Sequence, residues 1–70
     1  SRAAKRISPD KVVRQIITKL CEDKGEASIE EIYEAANKKE IEHFEVDRII
    51  SKLRQGGLLF SPREGAYSFA

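Results

Sequence analysis

The sequence predicts a mainly α-helical domain of three helices that ends in a small β-hairpin. Three consecutive segments repeat apolar residues at helical spacing, and each is bounded by residues that start or stop helices. After the third segment, a double glycine precedes two short apolar stretches that flank a turn containing proline and glycine. Three helices followed by a hairpin is the order of the winged helix-turn-helix, in which the hairpin forms the wing.

The first helix is predicted over residues 9–24. Ser8 is placed to cap it, Pro9 takes the first helical position, and Asp10 faces the positive end of the helix dipole. Gly25 supplies a left-handed stop. The apolar residues have the one- and four-residue spacing of a single buried face, and they are Val12, Val13, Ile16, Ile17, Leu20 and Cys21.

The second helix follows a short extended link at Ala27 and Ser28. Ser28 and Glu31 have the spacing of a capping box, in which the hydroxyl bonds the Glu31 amide and the carboxylate returns to Ser28. The helical pattern is lost around residues 37–39. Its expected buried positions are Ile29, Ile32, Tyr33 and Ala36.

The third helix begins near Glu42 or His43 and runs to Gln55, where Gly56 and Gly57 end it. Its core face has the 0, 3, 4, 7 spacing of a buried stripe, and consists of Val46, Ile49, Ile50 and Leu53.

Two short strands are predicted at residues 58–61 and 66–69, with a turn at residues 62–65 between them. An isolated two-stranded hairpin is only marginally stable in water. We therefore expect Leu58, Phe60 or Tyr67 to pack against the helices.

Length and composition indicate one small binding domain. Residues 1–7 are basic and small without an apolar period, so we assign them to a linker or an expression remnant and residues 8–70 to the domain. With 70 residues there is little room for a catalytic cleft. No apolar run approaches the roughly 20 residues of a membrane span, and one cysteine allows no internal disulfide. We expect a soluble, intracellular protein that is monomeric as an isolated domain.

Charge is divided along the chain. The net charge of +1 conceals +4 over residues 1–24, −6 over residues 25–47 and +3 over residues 48–70. The middle of the domain is therefore acidic.

The chain resembles the C-terminal winged-helix domain of the archaeal minichromosome maintenance (MCM) replicative helicase. The resemblance covers residues 8–70 and is strongest over residues 41–69, which read IEHFEVDRIISKLRQGGLLFSPREGAYSF. It implies a non-catalytic domain without cofactors that closes the polypeptide and regulates an ATPase ring. The implied partners are the rest of the helicase ring and its loading factors, in the cytoplasm of an archaeon and near chromatin.

Two other functions share this scaffold. Transcription regulators use winged helices to bind DNA, and a similar domain at the end of the middle subunit of the eukaryotic single-strand binding protein recruits partner proteins. Fold-level resemblance fixes the architecture better than the role. The alternatives to a helicase domain are therefore the DNA-binding domain of a regulator and a partner-recruiting adaptor.

Candidate DNA contacts lie on the third helix and the wing. A winged helix ordinarily inserts the N-terminal half of its third helix into the major groove. Here that half carries Glu42, Glu45 and Asp47, which phosphates repel. The candidate phosphate contacts are the basic residues beyond it, Arg48, Lys52, Arg54 and Arg63. So few basic residues predict weak, salt-sensitive DNA binding without sequence specificity. The simpler interpretation is that these four residues are solvated surface residues without a DNA contact.

Candidate protein contacts lie on the face of the third helix opposite its core stripe. This face comprises Phe44, Arg48, Ser51 and Gln55. If the helix includes Phe44, its ring points outward and can anchor a partner. If Phe44 precedes the first turn, it folds back onto the second helix or the wing.

No residue set predicts chemistry. His43 is the only histidine and Cys21 the only cysteine, some twenty residues apart, so they form no recognisable metal site. Cys21 belongs to an apolar stripe and is expected to be a small core residue.

Overall fold

The computed structural model describes residues 8–70, and the linker predicted for residues 1–7 lies outside the described residues. The elements in chain order are α1 (Pro9–Lys24), β1 (Ala27–Ser28), α2 (Ile29–Lys38), α3 (His43–Gln55), β2 (Leu59–Arg63) and β3 (Ala66–Phe69). Three helices and a small antiparallel sheet form a mainly helical winged helix, as the sequence predicts.

Helix α1 begins and ends where its capping residues place it. Ser8 Oγ accepts a hydrogen bond of 3.3 Å from a backbone N–H of the first turn. Gly25 has a φ of 85°, which side chains disfavour, and its N–H donates to the carbonyl of Cys21. Val13 and Ile17 are fully buried, and the rest of the predicted stripe packs around them.

The capping box at the start of α2 is confirmed. The N–H of Glu31 donates to Ser28 Oγ at 3.1 Å, and the Ser28 hydroxyl donates to Glu31 Oε1 at 3.2 Å. The Glu31 carboxylate also forms an ion pair with Lys24. One glutamate therefore joins the end of α1 to the start of α2.

The hydrophobic core lies where the three helices meet the sheet. All four predicted residues of α3 are buried, namely Val46, Ile49, Ile50 and Leu53. From α2, Ile32 and Ala36 are completely buried. Ile29 and Tyr33, the other two predicted positions, are half-buried and pack against the core cluster. Ile41, in the turn between α2 and α3, is 6% exposed and supplies a core residue that periodicity does not reveal.

The extended link predicted at Ala27 and Ser28 is a strand. Ala27 pairs with Tyr67 and Ser28 pairs with Ala66, so β1 joins β3 in an antiparallel ladder. The order in the sheet is β1-β3-β2, with β3 in the centre. The wing is therefore the larger part of a three-stranded sheet, which removes the instability of an isolated hairpin.

The turn of the wing is shorter than predicted. Strand β2 continues through Pro62 to Arg63, and the turn consists of Glu64 and Gly65. Proline is tolerated here because β2 is an edge strand, and a register shift between Phe60 and Arg63 interrupts its pairing with β3.

The side of β2 that faces the core carries Leu59. Leu58 and Phe60 are 49% and 47% exposed, whereas Leu59 between them is 3% exposed. Side chains alternate across a strand, and Leu59 is paired with Phe69, which packs against the core. Of the three residues expected to supply this contact, Leu58 and Phe60 therefore point away from the core. Tyr67 does pack against the core, as predicted, although it stays partly exposed.

Candidate interaction surfaces

The outer face of α3 consists of the four residues that the helical wheel predicts. Phe44, Arg48, Ser51 and Gln55 are all exposed. Phe44 is the second residue of α3, and 68% of its surface is accessible. The alternative in which Phe44 precedes the helix and folds back is therefore wrong, because the helix already begins at His43.

The N-terminal half of α3 is acidic. Glu42 is the N-cap residue but its side chain makes no capping hydrogen bond, and Glu42 and Asp47 are exposed. Glu45 lies in the first turn with its side chain 28% exposed. Carboxylates suit the positive end of a helix dipole, which accounts for them without a ligand. They also oppose the approach of nucleic-acid phosphates to this end of the helix.

The basic candidates on the α1 side of α3 have acidic partners within the domain. Arg48 contacts Glu45 one turn earlier, with 3.3 Å between Nη2 and Oε2. Lys52 Nζ lies 2.7 Å from Oδ2 of Asp10, in the first turn of α1. This hydrogen bond with Lys52 lowers the pKa of the Asp10 carboxyl below its ordinary value. The pair connects the end of α3 to the start of α1.

The remaining two candidates contact groups in the sheet or directly before it. Arg63, near the turn of the wing, forms an ion pair with Glu26, and its Nε lies 2.8 Å from Oε2 of that glutamate. The hydrogen bond raises the pKa of the Arg63 guanidinium. The guanidinium of Arg54 lies 5.7 Å from the centre of the Tyr67 ring, in a cation–π arrangement.

All four predicted DNA contacts are therefore already occupied by partners in the domain. Their side chains remain largely accessible, and the three ion pairs have side-chain exposures of 55–67% on the basic side. Exposed ion pairs contribute little free energy and exchange partners readily. A phosphate can replace a carboxylate at each position, but the gain is reduced by the pair that is lost.

A cluster of polar and aromatic groups joins α2 to α3. The Tyr33 hydroxyl donates to Asp47 Oδ1 at 2.5 Å, and the His43 ring stacks on the Tyr33 ring with 4.0 Å between centroids. The hydrogen bond to Asp47, with a contribution from partial burial, raises the pKa of Tyr33 to about 12. The cluster links the two helices of the helix-turn-helix, and periodicity did not reveal it.

The sequence analysis proposed neither a catalytic nor a metal site. Within residues 8–70, no group of three or more His, Cys, Asp or Glu side chains is positioned to hold a metal ion. Cys21 is partly buried against the core, and its Sγ lies 3.8 Å from the carbonyl oxygen of Tyr67. Open grooves lie beside the start of α3 and between α1 and the α2–α3 turn.

The sequence analysis did not identify the acidic partners of Lys52 and Arg63. Asp10 and Glu26 lie 42 and 37 positions from Lys52 and Arg63, and no local spacing links them. Only the Arg48–Glu45 pair has a sequence signal, because residues three apart are neighbours on a helix.

The family model described as the MCM protein C-terminal winged helix-turn-helix domain matches residues 9–70. Curated proteins and solved structures give no match. Over the part of the chain that the structure describes, no helix combines the length and apolar character needed to cross a membrane. Since the family model spans every helix and strand found here, the chain belongs to the family of MCM C-terminal winged helix-turn-helix domains.

Proposed function

We propose that this domain is a regulatory and interaction module at the C-terminus of an archaeal replicative DNA helicase. Winged-helix domains are generally non-catalytic, so ATP hydrolysis belongs to the rest of the parent protein. The module adjusts helicase activity through contacts with the ring and with loading factors, supplemented by weak contacts with DNA. Its setting is the archaeal cytoplasm, in association with chromatin. The family match over residues 9–70 is the observation that carries this proposal.

The electrostatics of α3 support protein contacts over DNA readout. In groove binding, the N-terminal half of the recognition helix approaches bases and phosphates. That half presents Glu42, Glu45 and Asp47. The basic residues farther along have intramolecular partners, so few charges are free to release counterions from DNA.

Phe44 supports a protein partner. A phenylalanine with 68% of its surface exposed gives up apolar contact with the core, and aromatic residues are enriched among those that dominate binding energy. It stands beside Glu40 and Glu42, which line the groove at the start of α3. This observation also favours the adaptor alternative, in which the domain recruits a partner without affecting a ring.

The regulatory role is tested by deletion in the parent protein. Full-length protein and a variant lacking residues 8–70 are compared for ATPase rate, DNA unwinding and binding of loading factors. We expect at least one of the three to change. A full-length Phe44→Ala variant should reproduce the part of the change that depends on protein contacts, and Lys19→Ala, an exposed position on α1, serves as the matched control. Three unchanged activities would contradict the regulatory proposal.

The regulator alternative is tested with duplex DNA. Fluorescence anisotropy at low salt should show at most weak binding that falls steeply as salt increases. Arg63→Ala and Lys52→Ala should each weaken that binding, whereas Lys19→Ala should not. Tight binding that survives physiological salt would favour the DNA-binding domain of a transcription regulator.

A further inference from the structure

On both flanks of the exposed face of α3, the charges of one helix complement those of a second α3 helix that runs in the opposite direction. At 100° per residue, Glu45 and Lys52 lie on one flank of the exposed face, 20° apart on the wheel. Asp47 and Arg54 lie on the opposite flank with the same separation. On both flanks the acidic residue is in the N-terminal half and the basic residue is in the C-terminal half. Between the flanks runs the exposed face that contains Phe44, Arg48, Ser51 and Gln55.

We propose that two copies of the domain associate weakly through antiparallel α3 helices. When a two-fold axis relates two antiparallel helices, each flank meets the same flank of the second copy in the reverse direction. Glu45 of one copy then faces Lys52 of the second, and Asp47 faces Arg54. Because the axis repeats every contact, four opposite-charge pairs form. The two helix dipoles are also antiparallel.

Phe44 fits this arrangement. The Glu45 and Lys52 set is centred between residues 48 and 49, and the Asp47 and Arg54 set between residues 50 and 51. A two-fold axis between residues 49 and 50, near the middle of α3, lies midway between these centres. In that register Phe44 lies opposite Gln55 and beside Gly56 of the second copy. Gly56 has no side chain, which leaves space for the ring. The most exposed large apolar side chain among the described residues is thereby covered in both copies.

The ion pairs within each copy do not oppose the association. The Glu45–Arg48 and Lys52–Asp10 pairs are solvent-exposed, so they exchange partners or share them at little cost. Tyr33 occupies only Oδ1 of Asp47, which leaves the second carboxylate oxygen as an acceptor.

The same features argue for a second copy over nucleic acid. DNA at this face would meet the acidic half of α3 as well as the basic half, whereas the reversed helix meets each charge with its opposite. The contact is weak, because one helix pair with one large apolar residue per copy falls below the roughly 1,000 Å² of a stable interface. The sequence predicts a monomer for the isolated domain, and this proposal departs from that prediction at high protein concentration.

Substitutions that reverse single charges on α3 test the antiparallel pairing of the two helices. Sedimentation equilibrium of the 70-residue chain at low salt, from about 10 µM to about 1 mM, should show the mass rising from 7.9 kDa towards a dimer. Glu45→Lys and Lys52→Glu should each weaken association by at least about tenfold, because each makes two of the intermolecular pairs repulsive. An equimolar mixture of these two variants should associate again, since opposite charges then meet at both ends.

Two further variants complete the test. Lys19→Glu makes the same charge change as Lys52→Glu on an exposed position of α1, and it should associate like the wild type. Phe44→Ala should weaken association without changing any charge. Circular dichroism confirms that each variant retains its helix content. A wild type that stays monomeric at about 1 mM overturns the proposal, as does a mixture that fails to associate. Duplex DNA binding by a strictly monomeric chain would assign the face to nucleic acid instead.

Discussion

Adjacent residues of β2 face opposite sides of the strand, so substitutions at Leu59 and Phe60 form a matched pair. Leu59 is 3% exposed and belongs to the core cluster, while Phe60 is 47% exposed on the other side of the strand. Truncating a buried leucine to alanine typically costs about 2–5 kcal/mol. Because β2 is an edge strand that can partly collapse onto the cavity, we expect Leu59→Ala to cost about 2–3 kcal/mol. Phe60→Ala removes more atoms but should cost less than about 1 kcal/mol.

These differences are measurable in a domain of this size. One kcal/mol shifts the Tm of a 60–100-residue domain by about 4–8 °C, so Leu59→Ala should lower Tm by about 10–20 °C. A core this small rarely provides more than about 3–5 kcal/mol, so Leu59→Val, at about 1 kcal/mol, keeps the transition within range. The assay is urea and thermal unfolding followed by far-ultraviolet circular dichroism. If Phe60→Ala destabilised the domain as much as Leu59→Ala, the register of the wing described here would be incorrect.

Three further predictions concern the helices. Phe44→Ala should leave the Tm within about 2 °C of wild type, since the side chain is 68% exposed, and a large loss of stability would place its ring in the core. Tyr33 should ionise near pH 12 in a spectrophotometric titration, and Asp47→Asn should bring this pKa down towards 10. The pKa of Tyr33 is higher in the folded state than in the unfolded state. The stabilisation from Tyr33 is therefore complete below pH 10 and is lost as the pH rises towards 12. A Tyr33 pKa near 10 in the wild type would contradict this prediction. Ser28→Ala should cost about 1 kcal/mol through the lost cap on α2, with Ser28→Thr losing less, and equal unfolding midpoints for alanine and wild type would argue against the cap.

The bounds of the helices follow from the sequence because their causes are local. Ser8 and Gly25 delimit α1, and each acts on backbone groups within four residues of itself. The 0, 3, 4, 7 spacing of α3 identifies its four buried residues, because a helix presents such positions on one side wherever it is placed. The exposed face that contains Phe44 is predictable for the same reason.

Local patterns in the chain predict three helices, the N-terminal caps of α1 and α2, the core side of α3 and the presence of a wing. That Ala27 and Ser28 form a strand depends on the folded arrangement, because two residues acquire that identity from their pairing with β3. The folded arrangement also decides that Leu59 points inward, since three consecutive apolar residues have no alternation to read and the register with Phe69 selects the face. The acidic partners of Lys52 and Arg63 also depend on the tertiary structure. They come from elements about forty residues away, and folding alone brings those charges together.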